Sequence, residues 1–130
     1  MPLTNAGRNF MAAAICNDGP PTFYDDSNAY LGVGDSDTVF AADQTDLQAA
    51  VNKTRAGMDS GFPSVADNVI SMQATFGSSD ANHAWLEWGV FNASSAGTML
   101  SREVENLGTK TTGTWVLEVD LTVEIGDEPA

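Results

Sequence analysis

The alternation of apolar and polar residues is strongest near the end of the chain, from Thr114 to Ile125. Apolar side chains occupy every second position there, and mostly acidic or threonine side chains lie between them. The apolar set is Trp115, Leu117, Val119, Leu121, Val123 and Ile125. A period of two predicts a β-strand with one buried and one solvated face, because a helix would scatter these groups around its circumference. Such a strand requires a sheet to pair with and a second layer to cover its apolar face.

Two other segments have the apolar spacing of helices. Asn5 to Cys16 carries an apolar stripe, Thr4 can cap its first turn, and the glycine and prolines within Asn17–Pro21 end it. Asp43 to Val51 is predicted as a shorter helix, because its apolar residues would share a face and its acidic residues suit a helix N-terminus. We expect both helices to lie at the edges of the sheets.

Four further segments are predicted as strands, and they are Ala29–Val33, Val69–Phe76, Ala84–Phe91 and Thr98–Leu107. Short polar turns separate the later ones, a spacing typical of antiparallel hairpins. Gly57–Pro63 is predicted to be a loop, and the acidic end Asp127–Ala130 is predicted to fray. Residues 1–130 are therefore expected to form a single domain of the β-rich α+β class. The expected fold is an antiparallel β-sandwich with an N-terminal helix and a second short helix.

The charge of the chain restricts its partners. Eighteen acidic residues against 5 basic ones give a net charge of −13 at pH 7. The acidic residues are spread along the chain, which predicts a well-solvated, mutually repelling surface or, alternatively, a docking face for a basic partner. Nucleic acid is not an expected ligand, because phosphate binding needs clustered Lys and Arg, and here these residues are mostly scattered.

The single cysteine and the hydropathy of the chain bear on its location. Cys16 has no second cysteine to pair with inside the chain, which suits assembly in a reducing cytoplasm. The apolar run Phe10–Ile15 is too short to span a membrane, and it lacks the basic lead of a signal peptide. We expect no membrane association.

Three patterns could carry chemistry, and each has a simpler interpretation. His83 is the only histidine, and catalysis would require a nucleophile or metal beside it, so a hydrogen-bonded turn residue is the competing view. Asp25–Asp26 and Asp35–Asp37 could offer oxygen ligands to calcium, but no calcium-binding loop motif surrounds them. Gly32–Gly34 lacks the third glycine of a phosphate loop and is followed by acidic residues. The sequence therefore predicts no enzyme activity, no metal site and no cofactor.

Aromatic residues are the best candidates for partner contacts. The predicted strand Ala84–Phe91 has large groups on both faces, so it is expected to be central in the fold or partly covered by another subunit. The candidate contact residues are Phe62, Trp85, Trp88 and Phe91. Core packing is the competing interpretation for the strand residues, and a carbohydrate-stacking platform formed by Trp85, Trp88 and Phe91 is a further alternative.

Several stretches resemble small structural proteins of tailed bacteriophages, including tail-collar fibre modules. The first is Leu3–Ile15, with the sequence LTNAGRNFMAAAI, and the second is Tyr30–Asp35, with the sequence YLGVGD. The third comprises Glu87–Ala93 and Gly97–Leu100, with the sequences EWGVFNA and GTML. These matches follow one another in order over most of the chain.

The resemblance implies a non-enzymatic virion structural protein that is held in a repeating assembly. Fibre proteins normally continue into shaft repeats or a tip after such a module, so a capsid decoration or cement protein on the outer face of the head is the first hypothesis. A small tail or fibre-adaptor protein is the alternative, followed by a carbohydrate-binding module and a small hydrolase using His83. The expected partners are the major capsid protein or tail proteins of the same particle and further copies of the chain. The expected location is the virion, assembled in the host cytoplasm.

Overall fold

The computed structural model of the protein describes residues 2–19, 21–124 and 126. Within them lie one helix, α1 (Asn5–Ile15), and seven strands. The strands are β1 (Tyr30–Gly34), β2 (Lys53–Gly57), β3 (Ser64–Ala66), β4 (Val69–Phe76), β5 (Ala84–Phe91), β6 (Met99–Thr109) and β7 (Trp115–Thr122). None of the described residues belongs to a helix long and apolar enough to cross a membrane.

Two antiparallel sheets enclose the apolar core. The four-stranded sheet has the order β2-β1-β5-β6, and the three-stranded sheet has the order β3-β4-β7. The neighbours β5 and β6 pair with each other, whereas β4 and β7 lie on either side of them in the sequence and pair in the opposite sheet. The predicted β-rich α+β class and the antiparallel sandwich with an N-terminal helix are confirmed.

The final strand has the alternation that the sequence predicts. Its core-facing side chains are Trp115, Leu117, Val119 and Leu121. Glu118 and Asp120 point the other way and are exposed. β7 pairs with β4 over its full length. The apolar side chains of the two strands therefore lie side by side and face the four-stranded sheet. Ile125 and the predicted frayed end, Asp127–Ala130, lie outside the described residues.

The N-terminal helix is fixed to β6 by its own cap. The Thr4 hydroxyl accepts a hydrogen bond from the Gly7 amide at 2.8 Å, which satisfies a free N–H of the first turn. The Thr4 amide donates to the Leu100 carbonyl at 3.1 Å. Gly7 lies so close to the Leu100 backbone that a Cβ at this position would collide with it. The predicted helix and its Thr4 cap are therefore confirmed, and both hold the helix against the sheet.

The predicted second helix, Asp43–Val51, is wrong. Residues 38–49 instead form an irregular segment that lies over the outer face of the four-stranded sheet, and we call this segment the strap. Leu47 and Ala49 are both buried at a spacing of two, as in an extended chain. The Gln48 and Ala49 amides donate to the Glu87 carboxylate at 2.7 and 2.8 Å instead of to carbonyls of their own segment.

Two edge strands, β2 and β3, have no counterpart among the predictions. β2 pairs with β1, and it carries two basic side chains, Lys53 and Arg55, in place of an apolar alternation. β3 is three residues long, all exposed, and pairs with β4 inside a short hairpin. Edge strands of this kind give little periodic signal, because only one side of each is paired and little of each is buried.

Candidate functional site

Two of the four predicted contact residues are buried inside the folded chain. Trp85 is 2% exposed, its indole N–H donates to the Ala81 carbonyl at 3.0 Å, and its ring meets those of Phe76 and Trp115 edge-on. Phe91 is 0% exposed. The Arg55 guanidinium lies over the Phe91 ring, with Cζ of Arg55 3.5 Å from the ring centroid. Neither side chain offers surface to a partner, so core packing holds for both.

Phe62 and Trp88 keep part of their surface exposed and remain candidate contacts. The Trp88 indole N–H donates to Glu105 at 3.0 Å, and the ring packs against the edge of the core between the sheets. A shift in register between Trp85 and Glu87 explains why Trp85 and Trp88, three residues apart, meet the same core. Phe91 lies on the opposite face, next to Leu47. The predicted carbohydrate platform of Trp85, Trp88 and Phe91 is therefore wrong, because these rings share no exposed face.

The polar residues that the sequence singled out have local structural partners. His83 Nδ1 lies 2.8 Å from the Ala84 carbonyl. The Asp25 carboxylate accepts hydrogen bonds from the Ser27 and Asn28 amides, as in a turn, and Asp35 accepts one from the Asn52 side chain. Across the described residues, no group of three or more His, Cys, Asp or Glu side chains is placed to hold a metal ion.

A buried ion pair, missed in the sequence, anchors the strap to the sheet. Glu87 and Arg102 are both 0% exposed, and Arg102 Nε donates to Glu87 Oε1 at 2.7 Å. Arg102 also donates to the Thr38 carbonyl and the Gln44 side chain, so one guanidinium joins the strap to β6. A glutamate in the middle of an apolar strand was the available signal, since a buried carboxylate requires a partner.

Two glycines on adjacent strands create the slot that receives the strap. Gly32 on β1 pairs with Gly89 on β5, and both face outward beneath Leu47. A Cβ at Gly32 would lie 2.9 Å from the Phe91 ring, which is closer than real Cβ contacts allow, and 3.1 Å from Leu47, which is tighter than most of them. The absence of side chains therefore lets Leu47 and Phe91 pack directly on the sheet backbone.

Asp46, near the end of the strap, forms ion pairs with two of the five basic side chains. Lys53 Nζ lies 3.0 Å and Arg55 Nη2 lies 3.3 Å from its carboxylate. Partial burial acts to raise the pKa of Asp46, but hydrogen bonds from Lys53, the Leu47 amide and Arg55 outweigh it and hold this pKa below its usual value. Asp46 therefore stays ionised and keeps both cations on this side of the molecule.

Four of the five basic side chains are paired with carboxylates or buried. Arg102 is paired with Glu87, and Lys110 is 0% exposed, donating to the Gly77 carbonyl at 2.7 Å and to Asn82 at 2.6 Å. Lys53 and Arg55 belong to the Asp46 cluster. Arg8 on α1 is the remaining basic residue, and it is exposed. The surface available to a partner is therefore more acidic than the net charge alone indicates.

The outer face of the three-stranded sheet carries exposed acidic side chains. We call it the acidic face, and its charged members are Asp59, Glu118 and Asp120. Glu118 lies opposite Gln73 and Asp120 opposite Ser71, while Asp59 accepts hydrogen bonds from Gln73 and Thr75 at 2.9 and 2.7 Å. Val116, which is 50% exposed, adds an apolar group on the same side.

The acidic face contains no basic residue to offset its charge. Residues 56–101 and 111–130 include no Lys or Arg, and all three strands of the sheet fall inside these ranges. The alternation of the final strand predicts its solvated side, but no sequence pattern places Asp59 beside it. The Asp59 amide donates to the Gln73 carbonyl at 2.8 Å, a pairing for which the sequence gives no periodic signal.

No model of a known protein family matches the chain, and a search of curated proteins finds no significant match.

Proposed function

We propose that the protein is a non-enzymatic structural component of a tailed-bacteriophage particle, bound to the outer face of the head as a decoration protein. The sequence resemblance supports this proposal, because its separate stretches meet in one part of the fold. The first supplies Thr4 and α1, which dock on Leu100 of the third. The second supplies β1, whose Gly32 pairs with Gly89 of the third. The stretches therefore behave as one structural unit.

The observation that carries the proposal is the contrast between the two sheets. The strap covers the outer side of the four-stranded sheet, whereas no described element covers the acidic face. Glu118 and Asp120 are two residues apart on one side of β7, and neither forms an ion pair with a basic side chain in the part of the chain that the structure describes. A basic surface on a neighbouring subunit would relieve the repulsion between them, and Val116 would add buried apolar area.

A repeating lattice makes such a contact effective. An exposed charged contact is individually weak and is screened by salt. When many copies are presented on a symmetric shell, however, a modest contact is repeated at every equivalent position. The partner in this proposal is a basic patch of the major capsid protein, or of a tail protein if the protein belongs to the tail or to a fibre adaptor.

Quantitative mass spectrometry of purified particles tests the proposed location. A copy number comparable with that of the major capsid protein is expected for a decoration protein on the head lattice. A few copies per particle would favour the tail or fibre-adaptor alternative. Complete absence from purified particles would overturn the structural role altogether.

A matched pair of charge-reversal variants tests the acidic face. We expect Glu118→Lys combined with Asp120→Lys to abolish rebinding to particles stripped of the protein, without loss of folding stability. The control is Asp37→Lys combined with Asp43→Lys, which changes the net charge equally at two exposed positions, one immediately before the strap and one within it. If both double variants lose binding to the same extent, total charge and not the acidic face controls attachment.

A further inference from the structure

An open groove of about 540 Å³ lies where α1, the segment before β1 and the connection between β5 and β6 come together. Its lining includes Phe10, Thr22, Asn28, Tyr30, Ser94 and Thr98. We infer that this groove is a binding site for a short uncharged saccharide. It lies apart from the acidic face, and the inference does not depend on a role in a phage particle.

The walls of the groove are held in place by one buried side chain. Asn92 is 6% exposed, and its side-chain amide donates to the Thr22 carbonyl at 2.9 Å. Its side-chain oxygen accepts from the Thr98 amide at 2.7 Å. Thr22 and Thr98 lie in different loops, so Asn92 fixes the distance between the two walls. A groove held in this way loses little conformational freedom when a ligand enters it.

An aromatic pair fixes the apolar side of the groove. Phe10 meets Tyr24 edge-on, with ring centroids 5.0 Å apart and planes at 90°. The Tyr24 hydroxyl donates to the Thr98 carbonyl at 2.7 Å, and burial raises the pKa of Tyr24, so this donor keeps its proton. Phe10 is therefore supported from behind and presents a fixed ring to the groove.

The chemistry of the lining selects the class of ligand. Among the residues that the structure describes, no acidic or basic side chain lines the groove, although the chain as a whole carries a net charge of −13. A charged ligand would therefore lose hydration without gaining a partner of opposite charge. Aromatic rings suit the C–H faces of a sugar, and hydroxyl and amide groups such as those of Thr22, Asn28 and Ser94 suit its hydroxyls. The volume also lies within the range of roughly 300–1,000 Å³ that is usual for small-molecule sites.

NMR titration of the 15N-labelled protein tests the inference directly. The probes are neutral mono- to trisaccharides of glucose, galactose, mannose and N-acetylglucosamine, together with a uronic-acid disaccharide as the charged comparison. We expect saturable shifts at Asn92, Thr98 and Ser94 with at least one neutral saccharide, with a dissociation constant in the millimolar range or tighter. The charged disaccharide is expected to bind more weakly.

Two matched pairs of variants identify the groove as the site. Ser94→Arg places a long charged side chain in the groove and is expected to weaken binding by about tenfold or more. Ser95→Arg changes the next exposed residue, which does not line the groove, and is expected to bind normally. Phe10→Ala is expected to lose binding, whereas Phe23→Ala, which removes an exposed ring outside the groove, is expected to retain it.

Three results would overturn the inference. The first is no saturable shift with any neutral saccharide, and the second is binding that Ser94→Arg leaves unchanged. The third is a set of shifts at the groove with an uncharged, unstructured peptide but not with a saccharide, which would make this a peptide site. Urea unfolding of each variant confirms that any loss of binding does not reflect loss of the fold.

Discussion

The Glu87–Arg102 pair allows the sharpest test of how the strap is held. The Glu87 carboxylate accepts hydrogen bonds from the Gln48 amide, the Ala49 amide and Arg102 Nε, at distances of 2.7, 2.8 and 2.7 Å. Replacing Glu87 with Gln keeps the shape but puts an N–H donor where one of these donors already points. It also leaves the Arg102 charge buried without its counter-ion.

The expected loss of stability follows from this geometry. Removing one partner of a buried ion pair typically costs about 3–5 kcal/mol. Both side chains are fully buried here, and the two backbone hydrogen bonds are lost or weakened with the charge. We therefore expect Glu87→Gln to lower the free energy of unfolding by about 3–5 kcal/mol, measured by urea unfolding with linear extrapolation. Amide exchange at Gln48 and Ala49 is expected to accelerate, because one of the two amides loses its acceptor and the other keeps only the neutral oxygen of the glutamine side chain.

Glu105→Gln is the matched control. Glu105 is exposed and accepts one hydrogen bond, from the Trp88 indole, so the same chemical change there is expected to alter stability by no more than about 0.5 kcal/mol. A loss below about 1 kcal/mol for Glu87→Gln, with unchanged exchange at Gln48 and Ala49, would refute the conclusion that this ion pair anchors the strap.

Three further predictions concern the core, the helix and acid stability. Leu117→Ala is expected to cost about 2–5 kcal/mol in urea unfolding, whereas Val116→Ala on the exposed side of the same strand is expected to cost less than about 1 kcal/mol; equal losses would contradict the orientation of β7. Gly7→Ala is expected to destabilise the protein although alanine favours helices, because its Cβ would meet the Leu100 backbone; a gain in thermal midpoint would argue against that contact. Because the folded-state pKa of Asp46 is depressed, its stabilising contribution is present above the ordinary value of 3.8 and is lost as the pH falls below it. As the pH falls below 3.8, the urea midpoint of the unmodified protein is therefore expected to decrease more steeply than that of Asp46→Asn. Parallel plots of urea midpoint against pH for the two proteins would count against the Asp46 cluster.

Local sequence pattern was sufficient for the elements whose burial repeats regularly. β7 and β4 alternate between core and solvent along their length, and the capping Thr4 with the apolar stripe of α1 specifies a helix. Each of these segments is buried on one side, so its apolar residues repeat every two residues in a strand or every 3.6 residues in a helix.

The strap shows why the remaining fold could not be predicted in this way. Leu47, Ala50 and Val51 have helical spacing, yet the amides of Gln48 and Ala49 bind a carboxylate 39 and 38 residues away in sequence. A contact between distant residues outweighed the weak helical preference of a short segment.

The orientation of the aromatic residues of β5 and the position of Asp59 on the acidic face could not be predicted, for related reasons. The register shift after Trp85 reverses the alternation within the strand, so the side on which Phe91 lies cannot be counted from Trp85. Asp59 lies on the acidic face because its backbone pairs with β4. This pairing joins two segments and cannot be predicted from the pattern of either one.

The attachment of α1 to β6 also sets the timing of folding during synthesis. The Thr4 hydroxyl contacts the carbonyls of Met99 and Leu100, which lie 95 and 96 positions later in the chain. A nascent chain on the ribosome therefore holds its helix without its final partner until β6 has emerged, whereas the partners of β1, which are β2 and β5, emerge earlier. Contacts that join such distant parts of a chain slow folding, because loop closure must precede them. The N-terminal helix can therefore take its final place only late in synthesis, after most of the strands have been made.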